Sequence, residues 1–149
     1  MNVLRYVFLW GICMTLCIAA VLLLEAIEGN RITDSMYGGY ANFGLPVMFM
    51  LACAVAFICS LCFVGLTIMI DRWVKFAALR LFVLVGLGVL LSLPLFNRWF
   101  GAEYVEGYDL QIFTAVWLFG AAGLIYGLAN EMLRRSQRNR QLRDRIDRK

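Results

Sequence analysis

Residues 46–70 read PVMFMLACAVAFICSLCFVGLTIMI, a run without one charged side chain. A bilayer's hydrocarbon core is about 30 Å thick and needs about 20 apolar residues in a helix to cross it. This run meets that length with residues to spare. It does not alternate apolar and polar positions, as a strand of a membrane β-barrel would.

Three further apolar runs lie at about residues 6–24, 76–96 and 110–130, with Arg80 the one charge among them. The expected fold is therefore an all-α membrane protein with four transmembrane helices, which form one domain over residues 1–130. Residues 131–149 follow as a basic tail. Composition agrees: of the 149 residues, 62% are hydrophobic and 16% charged. A soluble domain would be about half apolar and about a quarter charged.

The first run is longer than a usual signal-peptide core, and no Ala-x-Ala cleavage site follows it. It is expected to be a retained helix. Pro46 suits the first turn of the second helix. Pro94 is placed to kink or end the third. Asp109 is placed to cap the fourth, where a carboxylate meets the positive end of the helix dipole.

Charge gives the expected orientation. Arg5 precedes the first helix, and Arg72, Lys75 and Arg80 surround the second connection. Eight more cations lie between Arg134 and Lys149, so twelve of the fourteen basic residues fall on one side. The positive-inside rule then places both termini in the cytoplasm, with a bacterial inner membrane as the expected location.

The two outward segments are acidic and aromatic. One holds Glu25, Glu28, Tyr37 and Tyr40; the other holds Trp99, Tyr104 and Glu106. Such residues form an interfacial aromatic belt, and they also suit a recognition surface. The tail has neither glycine nor proline and pairs Arg140 with Asp144 and Arg143 with Asp147 at i,i+4. It is expected to extend the fourth helix. Arg134, Arg135 and Arg138 at its start are the expected contacts to anionic lipid headgroups.

Candidate chemistry is sparse. There is no histidine, which removes the usual general base, metal ligand and haem ligand. No Ser-His or Cys-His pair, phosphate-cradling loop or mid-depth acidic pair is present, so no enzyme activity, cofactor, metal or nucleic-acid partner is expected. Cys59 and Cys62 form a C-x-x-C, and Cys13 and Cys17 share a face of the first helix. Packing is the expected role of all four; a soft Cu(I) site or thiol redox chemistry is the alternative.

Small residues recur every fourth position. Gly123 and Gly127 do so in the fourth helix, with Gly120 extending the same face, as do Ala52, Ala56 and Ser60 in the second and Gly11, Thr15 and Ala19 in the first. Such faces let helix backbones approach closely. The expected use is packing within the bundle or docking of a membrane partner or a second copy.

The expected function is that of a non-catalytic contact protein, an accessory subunit or a blocker of another membrane protein. Immunity proteins against pore-forming toxins and plasmid entry-exclusion proteins are of this kind, an analogy of size and topology. The alternatives are a small oligomeric transporter or channel subunit, with Glu25 its candidate acid, and a thiol redox or copper-handling protein.

Overall fold

The computed structural model describes residues 3–31, 45–100 and 110–146. These are helical, with no strand among them. The four long helices are α1 (Val3–Ile27), α2 (Leu45–Trp73), α3 (Ala77–Phe100) and α4 (Ile112–Ile146). A single 3-10 turn, Gly29–Arg31, follows α1. Spans apolar enough to cross a membrane cover Val3–Ile27, Phe49–Trp73, Ala77–Arg98 and Ile112–Gln137.

The helices alternate in direction. One end of the bundle gathers the start of α1, the α2–α3 connection and the middle of α4; it is called here the Arg5 end. The other, the Glu28 end, gathers the end of α1 and the start of α4. Consecutive helices are not always neighbours. The largest interface joins α3 and α4; α1 packs on α2 and on α4, while α2 and α3 barely touch. The lateral order is therefore α2–α1–α4–α3.

Pro94 does not end α3, which runs on to Phe100. It removes one backbone donor near the last turns of the helix.

Burial follows the helical repeat, at spacings of three, four or seven residues. On α3 it falls at Arg80, Leu84, Gly88, Ser92, Phe96 and Phe100. On α2 it falls at Ala52, Ala56, Ser60 and Thr67, and on α4 at Ala115, Phe119, Gly123, Tyr126 and Asn130. The α3 row, spaced by four throughout, is an i±4 ridge of the kind along which helices interlock. The opposite faces carry Phe8, Met50, Phe82, Trp117 and Met132 to the outside. In water so much exposed apolar surface would mark an interface; a lipid solvent accepts it.

The hydroxyls along these helices are satisfied locally. Ser60 donates to the Phe57 carbonyl, Thr67 to Phe63, Ser92 to Val89 and Thr15 to Gly11. Each is a bond to the preceding turn of its own helix, which lets a polar side chain sit in an apolar medium at low cost.

Candidate functional site

Three constellations stand out: a charged knot at the Arg5 end, a buried carboxylate at the Glu28 end, and a thiol-lined cavity between them.

The knot joins all four helices. Asp71, in the last turn of α2, accepts from Arg5 of α1. It also accepts from Arg80 of α3 at 3.5 Å and from the Asn130 amide of α4 at 3.3 Å. Arg134 approaches the same carboxylate at 3.7 Å. Arg80 further donates to Glu131 at 2.9 Å, and Arg5 donates to the Asn130 amide oxygen. The Arg5 guanidinium also lies over the Tyr6 ring, 5.1 Å from its centroid.

Snorkelling to solvent is the ordinary expectation for a cation at the end of a membrane helix. Arg80 departs from it: only 5% of its side chain is exposed, and it is held by two carboxylates. Both pairs are charge-assisted, and the planar fork of Arg suits contact with two acids at once.

Of the expected lipid contacts, Arg134 turns back toward Asp71 and Arg135 pairs with Glu131 at 3.6 Å. Arg135 remains largely exposed. The Arg138 side chain lies outside the described residues, as do those of Arg140, Arg143 and Asp144.

At the other end, Glu28 is fully buried. Its carboxylate accepts from the backbone N–H of Gln111 at 3.2 Å and from the Thr114 hydroxyl, and it pairs with Arg31 at 3.4 Å. These donors sit at the start of α4, where unpaired backbone N–H groups and the helix dipole favour an anion. Glu28, expected on an outward recognition surface, is thus spent on joining the end of α1 to the start of α4.

Asp109, the expected cap of α4, lies outside the described residues, as do Tyr37, Tyr40, Tyr104 and Glu106. The Trp99 side chain does too. Glu25 is half-buried and folds over Gly29: a Cβ on that glycine would lie 2.5 Å from the Glu25 carboxyl carbon.

Between the two ends, Tyr126 bridges α4 to α2. Its ring meets Phe63 edge-on at 5.1 Å, and its hydroxyl lies 3.1 Å from the Thr67 hydroxyl. Thr67 has one hydrogen and gives it to Phe63, so the phenol is the donor of this bond.

Beside Tyr126 is a small cavity of about 30 Å³. Its wall includes Cys13 and Cys17 of α1, Phe63 of α2, Leu91 of α3 and Phe119 of α4. Among the described residues no three His, Cys, Asp or Glu side chains are grouped to hold a metal ion.

The small-residue rows differ in what covers them. Gly123 and Gly88 sit at the seam of α3 and α4: a Cβ on Gly123 would lie 2.9 Å from the Leu84 carbonyl oxygen. On Gly127 its closest contact would be the end of the Leu81 side chain at 2.8 Å, and on Gly120 it would meet only the side chain of Val89. Ala52, Ala56 and Ser60 are fully buried. Gly11, by contrast, has no atom within 4 Å of where its Cβ would be, and Thr15 and Ala19 on the same face are exposed.

The fold and these constellations define the class: four apolar helices of spanning length, tied at both ends by polar side chains, as in multi-pass helical membrane proteins. No protein-family model, curated protein sequence or solved structure matches the chain.

Proposed function

We propose that this chain is a non-catalytic contact protein of a bacterial inner membrane, an accessory subunit or a blocker of a membrane partner. In this reading the Arg5 end faces the cytoplasm, following the positive-inside rule. Arg135 and the basic tail then lie among anionic headgroups.

The observation that carries the reading is the α1 face formed by Gly11, Thr15 and Ala19. It is open while the rows on the other helices are covered. A groove of about 500 Å³ runs along this face, lined by Leu4, Phe8, Gly11 and Thr15 among others. A small-residue face of this kind admits the backbone of another transmembrane helix.

The interior supports contact over conduction. The cavity wall bears no charged side chain, and the acids of the knot and of the Glu28 cluster are each engaged by neighbouring helices.

The test is a photocrosslinking residue placed at position 11 in the full chain, with one at lipid-facing Phe82 as the reference. Crosslinking to a membrane protein from position 11 and not from 82 is expected, and Gly11→Leu should abolish co-purification with that protein. Crosslinks to lipid alone, or co-purification unaffected by Gly11→Leu, would sink the reading. A crosslink to a second copy of the chain would identify self-association as the contact.

A further inference from the structure

Cys13 and Cys17 lie one turn apart on α1, and both line the central cavity. Cys13 is only 4% exposed. Tyr126 also lines the cavity, and its hydroxyl hydrogen is engaged by Thr67.

This wall fits few occupants. A buried water needs two to four polar partners, and thiols are weak donors and weak acceptors. A hard cation needs six or more oxygens. Sulfur ligands select soft cations instead. Side chains at i and i+4 have Cβ atoms about 5–6 Å apart, which puts both sulfurs within reach of one ion between them. Charge narrows the choice further. An uncompensated charge in an apolar interior is costly, and a divalent soft cation held by two thiolates is neutral.

We propose that Cys13 and Cys17 form a two-sulfur site for a soft, thiophilic divalent cation of the Hg(II) kind. Binding breaks both S–H bonds and forms two metal–sulfur bonds. The two protons pass to water, and no electron changes hands. The remaining cysteines, Cys53, Cys59 and Cys62, lie on α2 and do not line this cavity.

The test uses the full chain in detergent micelles with Cys53, Cys59 and Cys62 all replaced by alanine, titrated with Hg(II). X-ray absorption should show one ion per chain held by two sulfurs, with two protons released. Adding Cys13→Ala should leave a single sulfur on the ion. Two ions per chain, or a two-sulfur signature that survives Cys13→Ala, overturns the proposal. If the triple variant does not fold, Cys13→Ala/Cys17→Ala in the otherwise native chain serves. It should lose the first, tightest equivalent; retention of that equivalent overturns the site equally.

Discussion

Gly88 of α3 and Gly123 of α4 pack directly against one another. A Cβ on Gly88 would lie 3.5 Å from the Gly123 Cα and 2.5 Å from the Phe119 carbonyl oxygen. Both neighbours are backbone, which cannot swing aside. Gly88→Ala and Gly123→Ala are therefore expected to destabilise the bundle by about 1–3 kcal/mol, the range for overpacking. The one close contact of Gly127→Ala is the flexible end of Leu81, with Leu84 and the Leu81 backbone at ordinary distance, so it should cost less. Gly11→Ala meets nothing and should be neutral or slightly stabilising through helix propensity. Unfolding in mixed micelles followed by circular dichroism would give the order; equal effects at positions 11 and 123 would contradict the seam.

The knot predicts an asymmetry between its centre and its rim. Asp71→Asn leaves the Arg5 and Arg80 guanidiniums buried with their shared counter-charge gone. The loss should be about 3–5 kcal/mol, as for breaking one partner of a buried pair. Arg135→Gln removes a mostly exposed partner of Glu131 and should change stability little. The same unfolding measurement separates the two; a mild Asp71→Asn would mean that the four helices do not depend on this carboxylate.

Tyr126 and Thr67 should not be equivalent, because the donor direction is known. Tyr126→Phe removes a donor and leaves Thr67 still bonded to Phe63, a loss of about 0.5–1.5 kcal/mol. Thr67→Val strands the buried phenol without an acceptor and should cost about 1–3 kcal/mol. The double variant should resemble Tyr126→Phe alone, since no polar group is then left unpaired. Thr67→Val milder than Tyr126→Phe would reverse the assignment.

Glu28→Ala should loosen the first turn of α4 more than it loosens the end of α1. It withdraws the acceptor for the Gln111 amide and the Thr114 hydroxyl together. Hydrogen exchange should accelerate at residues 112–115, with the middle of α4 unchanged. Thr114→Val should reproduce part of the effect. Protection that survives Glu28→Ala would show that the helix start is held by other groups.

The four helices were legible because a bilayer demands long uncharged runs, and residues 46–70 meet that demand plainly. The faces were harder to read. Every side of α1 is apolar, so hydrophobicity does not mark its inner face. The every-fourth-residue rows of small side chains did mark contact faces, yet Gly11 and Gly123 look alike in sequence. One is open and the other sealed, a distinction that depends on which helix lies alongside.

The knot was missed for a related reason. In the sequence Arg5 and Arg80 count only toward the charge bias that orients the chain, and Asp71 is a lone acid at the end of an apolar run. Their partnership spans 66 positions from Arg5 to Asp71, and only the lateral order α2–α1–α4–α3 brings them together. Glu28 likewise reads as a loop acid until Gln111 and Thr114 are placed beside it.

The knot also imposes a sequence of events on the making of the protein. A chain is synthesised from α1 toward α4, and Asn130, Glu131 and Arg134 are the last of the knot's members to leave the ribosome. Until they arrive, Arg80 lacks one of its two carboxylates and Arg5 lacks its amide. A chain stalled before α4 therefore presents two guanidiniums that share the single Asp71 carboxylate, a mark by which a membrane protease could tell an unfinished molecule from a finished one.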